Sequence, residues 1–282
     1  LLRYSLINLL HLRVESKKQI MEKNLKYPYR QIIIVIAIIA TIGVNVLANA
    51  LPINGQNTGA ISDRFGILFV PAGYVFAIWG VIYLGLGAFA TYQVLPANKD
   101  NQRLKRIFPW VLGASAANIA WIFLWHYNQF PLTLAAMLGL LIFLILIFLK
   151  LEIGARKFSA AETWLVNAPW SVYLGWITVA TIANFSQVLY FLNWDGFGVP
   201  AEGWAVIMLL AAVVVSALMA VTRGQPGYLL VIVWASIGIA LKQAAYPLVS
   251  GAAWVSAAII LLLALWRIVQ PPFVKGSVKK AK

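Results

Sequence analysis

The sequence predicts an all-α polytopic membrane protein, a helix bundle of about eight transmembrane helices. Two observations of composition support this prediction. Of the 282 residues, 62% are hydrophobic and only 11% are charged, whereas soluble domains have roughly 25% charged residues. The mean hydropathy is +0.84. The third observation is that apolar runs long enough to cross a bilayer recur along the chain, separated by short polar or basic connections.

The residues before the first apolar run, 1–30, are polar and basic, and we expect a cytoplasmic segment with Met21 as a possible true start. Residues 1–20 either lie on the membrane surface as an amphipathic helix or, as we favour, are an upstream artefact or a disordered tail. Residues 31–51 form the first predicted span, since about 20 apolar residues cross the hydrocarbon. The same stretch also resembles a cleaved signal peptide with a small-x-small ending at Ala50, and this alternative stays open.

Seven further apolar runs follow, and we interpret each as a membrane-crossing helix. A loop rich in Gly, Asn and Pro at 52–70 precedes the first of them. The run at 131–150 is nearly pure Leu, Ile, Phe and Ala, and we expect it to face lipid. The predicted limits are 71–95, 108–127, 131–150, 164–190, 204–222, 228–247 and 252–269. We divide the chain into a five-helix core at 31–194, three additional helices at 195–270 and a basic cytoplasmic tail at 271–282.

The basic residues predict an orientation. With the N-terminus in the cytoplasm, all of the 22 Lys and Arg except Arg64 and Lys242 fall on the cytoplasmic side, as the positive-inside rule requires. We therefore expect both termini in the cytoplasm and place the protein in a bacterial plasma membrane. Topology accounts for the net charge of +14. Nucleic acid is not an expected partner, because no basic stripe is interleaved with exposed aromatic residues.

Residue types that carry most catalytic and metal chemistry are scarce. The chain has no Cys and only two His, His11 and His126, so the sequence predicts neither a His-built metal site nor a thiolate nucleophile. No Walker loop, paired catalytic carboxylates or Ser/His/Asp set is present. We expect no required cofactor.

The fifth predicted span carries polar residues at membrane depth. At about 100° per residue, a stripe of its side chains falls on one face, namely Tyr173, Trp176, Ala180 and Asn184. A polar group there is costly against lipid, so the stripe should face other helices or a cavity. Under the expected topology, Trp79, Asn118, Trp121 and Asn184 lie in the outer half of the membrane, and Tyr83 and Trp176 lie nearer its middle. These residues predict a pocket that opens outward beneath loop 52–70, with simple packing as the alternative.

The same residues resemble motifs of the TspO/MBR family, the tryptophan-rich sensory or translocator proteins. In the second span, residues 71–76 followed by Trp79 and Tyr83 resemble the family's Pro-Pro-x-Trp-Val-Phe, then Trp-Thr and Tyr. The third span matches its Asn-x-x-Trp at Asn118 and Trp121. The fifth span is similar to its Pro-Tyr-x-x-Trp, Ala and terminal Asn, at Tyr173, Trp176, Ala180 and Asn184.

The chain departs from these motifs at several positions. Ala72 replaces the second Pro, Tyr74 the first Trp and Gly80 the Thr, and Val172 stands before Tyr173 where the family has Pro. The spacing from Phe to Trp in the second span is one residue shorter than in the family. The resemblance covers residues 31–194, and the departures bear most on ligand specificity.

The resemblance implies a five-helix bundle around a hydrophobic pocket. In the family this pocket binds tetrapyrroles such as protoporphyrin and haem, and in some members sterols or aromatic drugs. The resemblance also implies a homodimer. A flat macrocycle fits between indole faces, and Asn and Tyr groups hydrogen-bond its polar rim. The expected ligand-binding residues are Phe76, Trp79, Tyr83, Asn118, Trp121, Tyr173, Trp176 and Asn184. The function expected is sensing or transport of such a ligand. Two alternatives stay open: a transporter of another small amphipathic solute through Lys242 and the additional helices, and an enzyme that degrades porphyrin in light through Trp79 and Trp176.

Lys242 is the only charge predicted well inside a span, where it would cost about 2.5–3.5 kcal/mol. It either snorkels outward or anchors a ligand carboxylate or an ion path. No acid lies in a predicted span, so a buried Lys–carboxylate pair is not expected. Several Trp near span ends are expected to be interface anchors, namely Trp110, Trp125, Trp164, Trp170, Trp194, Trp204 and Trp266.

Overall fold

The computed structural model describes residues 29–270. The expectations for residues 1–28, including the start at Met21 and the surface helix, lie outside the described residues. The same holds for the basic tail at 271–282. Within the described range the chain is built of helices and their connections, with no β-strand.

Ten helices follow one another in the described range. Their bounds are α1 Tyr29–Ala50, α2 Thr58–Ser62, α3 Gly73–Val94, α4 Gln102–Arg106, α5 Phe108–His126, α6 Phe130–Lys150, α7 Ala160–Phe191, α8 Ala201–Thr222, α9 Pro226–Lys242 and α10 Pro247–Val269. The first turns of α3 are 3₁₀-helical, and α7 contains a π-helical turn at Thr163–Asn167. Pro lies in the first turn of α5, α6, α9 and α10, where its missing N–H has no helical partner to lose.

The prediction of an all-α membrane bundle is confirmed, because seven of these helices are long and apolar enough to cross a membrane. The seventh predicted span, at 228–247, exists as α9, but this helix has 17 residues and ends at Lys242. At about 1.5 Å per residue it is roughly 25 Å long, shorter than the hydrocarbon thickness. Lys242 is therefore the last residue of a helix, and the prediction that it lies well inside a span is wrong.

Side-chain hydrogen bonds between distant segments define two ends of the bundle, with Gln31 and Gln93 joined at one end and Asn54 and His126 at the other. Successive long helices, which short connections join, run between these two ends. One end carries every Lys and Arg of the described residues except Arg64 and Lys242, and we call it the basic end. It includes the connections at 95–107, 151–159 and 223–225. The far end includes the connections at 51–72, 127–129, 192–200 and 243–246. The candidate site lies at the far end.

Helix α1 packs as part of the bundle. Ile34 and Ile38 belong to the buried core. At the basic end, the side-chain amides of Gln31 and Gln93 each donate to the other residue's carbonyl oxygen. These contacts favour a retained first helix over the signal-peptide alternative.

Helix α9 lies deep in the bundle because glycines allow close approach. A Cβ atom on Gly175 of α7 would lie 2.8 Å from the Tyr228 carbonyl oxygen, and one on Gly238 of α9 would overlap Val75 Cγ2. The Ala72 N–H donates to the Gly238 carbonyl oxygen at 3.1 Å. In a membrane, moving an apolar side chain from lipid to protein contributes little free energy. Helix contacts there typically contain small residues, because these let the backbones pack closely. The additional helices thus pack directly on the core helices.

Helix α6 is only partly lipid-facing. A stripe of its side chains is buried against α5 and α7, namely Thr133, Met137, Leu140, Leu144 and Ile147. The expectation of a wholly lipid-facing helix is therefore wrong for this stripe. Since Leu and Ile suit both lipid and protein neighbours, composition alone does not indicate which face meets another helix.

Two of the Trp expected at the membrane interface are core residues instead. Trp125 and Trp170 are each 2% exposed. Trp125 is covered by α2 and donates its indole N–H to the Thr58 carbonyl oxygen at 3.2 Å. Trp170 packs edge-on against Phe89, with ring centroids 5.1 Å apart. Trp164, by contrast, is 73% exposed, as an interface anchor requires.

Candidate ligand-binding site

A cavity of about 670 Å³ lies at the far end of the bundle, between α1, α3 and α5 and beside α2. Its volume falls within the range of about 300–1,000 Å³ usual for small-molecule sites. The α1 wall is formed by Asn45, Val46, Asn49 and Ala50, and the α2 region contributes Asn57, Thr58, Gly59 and Asp63. Helices α3 and α5 contribute Gly73, Phe76, Trp79, Tyr83, Trp121 and Ile122.

A smaller pocket of about 60 Å³ adjoins this cavity. The two share Thr58, Phe76, Trp79 and Trp121 in their walls. The smaller pocket reaches deeper toward α6 and α7, where its walls include Met137, Leu140, Trp176, Ala180 and Asn184. Together the two spaces form the candidate site.

The structure brings all of the predicted ligand-binding residues to this region. Phe76, Trp79 and Trp121 line both spaces, and Tyr83 lines the larger one. The smaller pocket is lined by Asn118, Trp176 and Asn184. Tyr173 lies just behind, with its ring centroid 6.0 Å from that of Trp79. Contact with a ligand remains a prediction for each of them.

Trp79 is at the centre of an aromatic cluster. Its ring stacks on Tyr83 with centroids 5.6 Å apart and 27° between the planes. Toward α7 it meets Trp176 edge-on at 6.3 Å, and Phe76 meets the same indole edge-on at 5.7 Å. These are the offset and edge-to-face arrangements that aromatic rings favour. The walls therefore present flat apolar faces in several orientations.

Asn118 joins three helices by hydrogen bonds. Asn45 Nδ2 on α1 donates to Asn118 Oδ1 at 2.6 Å, and Asn118 Nδ2 donates to Tyr173 Oη on α7 at 2.8 Å. All three residues are buried. Since an unpaired amide would be costly at this depth, the chain of bonds holds α1, α5 and α7 in register.

Asn184 joins α5, α6 and α7 in the same way. Its Oδ1 accepts the indole N–H of Trp121 at 3.2 Å, and its Nδ2 donates to Thr133 Oγ1 at 2.9 Å. Thr133 was not predicted to take part, because it lies in the span expected to face lipid. Both Asn side chains thus already bond protein groups, so they position the walls of the site.

Trp176 differs from these residues because its polar group is free. It is 3% exposed, and its buried indole Nε1 has no hydrogen-bond partner among the described residues. Leaving a buried donor unpaired costs about 1–3 kcal/mol. A ligand acceptor in the smaller pocket would satisfy this donor. Trp170 Nε1 is also unpaired, but Trp170 lines neither space.

The segment that contains α2 covers the site and is held by several side-chain hydrogen bonds. The sequence predicted only a loop in this segment. Asn54 and Gln56 both donate to the His126 carbonyl oxygen, at 3.0 and 3.1 Å. Gln187 of α7 donates to Ser62 Oγ at 3.2 Å. Asn57 begins α2 by accepting the Ala60 N–H, an N-cap signal that the sequence did contain.

Lys242 is paired with this cap. Its Nζ lies 2.9 Å from a carboxylate oxygen of Asp63, and the two side chains are 31% and 67% exposed. The sequence predicted no buried Lys–carboxylate pair, and this pair is exposed, because its acid lies in a loop and not in a span. Asp63 also lines the larger cavity. The pair leaves the mouth of the cavity with no net charge.

At the opposite, basic end, Arg103 ties α4 to α7. The guanidinium donates to the Leu151 carbonyl oxygen at 2.6 Å, to a Glu162 carboxylate oxygen at 3.2 Å and to the Asn167 side chain. Burial lowers the pKa of Arg103 to about 10, so it stays charged at neutral pH. This cluster is structural and lies far from the cavity. In the described part of the chain, no group of three or more His, Asp and Glu is placed to hold a metal.

The amino-acid sequence was compared with models of known protein families. A family model described as TSPO-like protein matches residues 31–266. The match continues through α8 and α9 into α10, beyond the 31–194 stretch in which the motif resemblance lies. Neither the search of curated proteins nor the search of solved structures finds a match. Because the matched residues make up most of the chain, this integral membrane protein belongs to the family of TSPO-like proteins.

Proposed function

We propose that this protein is a sensory or translocator-type membrane protein whose far-end cavity binds a hydrophobic planar ligand of the tetrapyrrole class, a porphyrin or haem. The observation that carries the proposal is the unpaired, buried indole N–H of Trp176 in the wall of the aromatic site. Family membership supports the sensory or translocator role.

The shape and chemistry of the walls support a flat, apolar ligand. Trp79, Tyr83 and Phe76 offer ring faces and edges to the larger cavity, and Trp121 closes it from α5. A macrocycle gains most by burying its two faces against such rings. A hydrogen-bond acceptor of the ligand that reaches the smaller pocket meets the indole N–H of Trp176. At the mouth of the cavity, the charges of Asp63 and Lys242 cancel, so the pair does not repel a ligand carboxylate.

The proposal includes an orientation. The basic end faces the cytoplasm of a bacterial cell, following the positive-inside rule, and the candidate site opens outward. The ligand then enters from outside the cell or from the outer leaflet, past the segment that contains α2.

A titration of the detergent-purified protein with protoporphyrin IX in the dark tests the proposal. Soret absorbance and Trp fluorescence report binding. We expect saturable binding at micromolar ligand, weakened about tenfold in Trp176→Phe, because one hydrogen bond in a dry site contributes about 1–1.5 kcal/mol. Trp164→Phe is the matched control, because Trp164 is exposed and lines no cavity of the candidate site. Absence of saturation, or equal weakening in both variants, would contradict the proposal.

Illumination of the same samples distinguishes a binder from an enzyme. The close edge-on contact of Trp79 and Trp176 is the observation that favours porphyrin photochemistry, since an excited macrocycle beside this pair can take an electron from an indole. If binding alone is the function, bound porphyrin bleaches no faster in the wild-type protein than in Trp79→Phe plus Trp176→Phe. Faster bleaching in the wild-type protein would establish the enzymatic alternative.

A further inference from the structure

A second cavity at the far end is separate from the candidate site. Its volume is about 260 Å³, and it lies between residues 66–69, the end of α7 and the start of α8. It shares no lining residue with the larger cavity or the smaller pocket. Drug-sized ligands usually occupy at least about 300 Å³, so this space suits a small group and excludes a macrocycle.

Four aromatic residues line the second cavity, namely Phe69, Tyr190, Trp194 and Trp204. The centroids of the two indoles lie 4.8 Å apart with their planes tilted by 58°. The Trp204 N–H donates to the Gly196 carbonyl oxygen at 2.9 Å, which holds that ring in place. The cavity thus has a fixed aromatic corner, while Leu189, Val199 and Met208 contribute aliphatic wall.

Asp195 is the one charged residue among those lining this cavity. Its Oδ1 accepts the Phe197 N–H at 3.0 Å, which orients the carboxylate. No Lys or Arg in the described part of the chain forms an ion pair with it. Among the described residues, the exposed carboxylate of Asp195 therefore lies beside a corner of aromatic rings without an ion-pair partner.

Three backbone carbonyl oxygens at this corner already accept hydrogen bonds. The Gly196 carbonyl oxygen accepts from Val199 N as well as from Trp204, and the carbonyl oxygens of Leu189 and Asp195 accept from Trp194 N and Gly198 N. A quaternary ammonium has no N–H donor that needs a partner, and aromatic faces with a carboxylate are the surroundings that bind it.

We infer that this cavity binds the quaternary ammonium headgroup of an amphiphile, with the cation against Trp194, Trp204 and Asp195 and the first carbons of its chain along the aliphatic wall. The source is either the choline headgroup of a lipid or a free cationic amphiphile. This site is independent of the tetrapyrrole proposal, because the two share no residue.

Isothermal titration of the full-length protein in an uncharged maltoside detergent tests the inference, with octyltrimethylammonium as the probe. The uncharged tert-butyl analogue of the same chain length is the comparison ligand. Asp195→Asn removes the charge and retains the oxygen that accepts from Phe197. Glu202→Gln is the matched control, because it removes a charge at the same end of the bundle without lining the cavity.

The expected result is that the cation binds about tenfold more tightly than its neutral analogue. This preference is lost in Asp195→Asn, reduced in Trp194→Leu and unchanged in Glu202→Gln. Equal binding of the two ligands, or equal binding to wild-type and Asp195→Asn protein, would overturn the inference.

A second arm identifies the source. Protein is extracted from nanodiscs of mixed phosphatidylcholine and phosphatidylglycerol, and native mass spectrometry counts the retained lipids. Retention of one phosphatidylcholine in the wild-type protein and in Glu202→Gln, but not in Asp195→Asn, supports a lipid headgroup. Cation binding without retained lipid supports a free amphiphile in the same site.

Discussion

The ammonium nitrogen of Lys242 lies 2.9 Å from a carboxylate oxygen of Asp63, which ties the last residue of α9 to the segment that caps the candidate site. The two residues are 179 positions apart in the chain. Exposed ion pairs contribute only about 0–1 kcal/mol to stability. The pair therefore matters more for the position of the cap than for the stability of the fold.

Lys242→Met should loosen the cap without unfolding the protein. The chain has no Cys, so Thr58→Cys introduces a single thiol in the cap, in the wall shared by both spaces of the site. We expect maleimide to label this thiol several-fold faster when Lys242→Met is added, with a change in unfolding free energy below about 1 kcal/mol. Lys150→Met, an exposed lysine at the basic end, should leave the rate unchanged. An unchanged rate in Lys242→Met would show that the pair does not hold the cap.

Asn184→Leu should destabilise the bundle by about 1–3 kcal/mol, because it leaves the Trp121 N–H without its acceptor and Thr133 without its donor. The thermal midpoint in detergent measures the effect. Asn49→Leu is the control, since Asn49 is exposed and its amide bonds only to its own helix, at the Asn45 carbonyl oxygen. If both variants melt at the same temperature, the hydrogen bonds of Asn184 do not hold the three helices together.

Gly238→Ala should weaken the contact between α9 and the start of α3. The new Cβ would overlap Val75 Cγ2, and overpacking of this kind costs about 1–3 kcal/mol. Adding Val75→Ala removes the clashing atom, so the double variant should be more stable than the sum of the two single changes predicts. Gly251→Ala serves as the control, because no heavy atom of another residue lies within 4 Å of a Cβ added at Gly251. Strict additivity of the unfolding free energies would place α9 away from Val75.

The helices were predictable from the sequence because an apolar run of membrane-crossing length is rarely stable as anything but a transmembrane helix. The polar stripe at Trp176 and Asn184 was predictable for a related reason, since polar groups at that depth must face protein or a cavity. The structure places both residues in the wall of the smaller pocket. Periodicity and depth were sufficient for these features.

Contacts between distant parts of the chain were not predictable in the same way. Asp63 lies in a loop, and nothing in its neighbours indicates that it reaches Lys242. Trp125 and Trp170 lie near span ends, which suggested the membrane interface, but neighbouring segments cover them. Apolar periodicity identifies the buried face of a helix only when the opposite face is polar, and in a bilayer both faces are apolar.

The proposed orientation can be measured with single cysteines. Ala60 at the far end and Ala97 at the basic end are both exposed, so Ala60→Cys and Ala97→Cys differ in location and little else. In intact cells we expect a membrane-impermeant maleimide to label Ala60→Cys, and Ala97→Cys only after permeabilisation. Labelling of Ala97→Cys in intact cells, with Ala60→Cys protected, would reverse the orientation.

If a planar ligand satisfies the unpaired N–H of Trp176, indole ¹⁵N–¹H NMR of the detergent-solubilised protein detects the new hydrogen bond directly. Trp176→Phe identifies the Trp176 signal by its loss, and Trp164→Phe identifies that of the exposed control. On saturation with protoporphyrin IX in the dark, we expect a large shift of the Trp176 signal and none of the Trp164 signal. An unshifted Trp176 signal at saturating ligand would show that the ligand does not bond this indole and lies elsewhere on the protein.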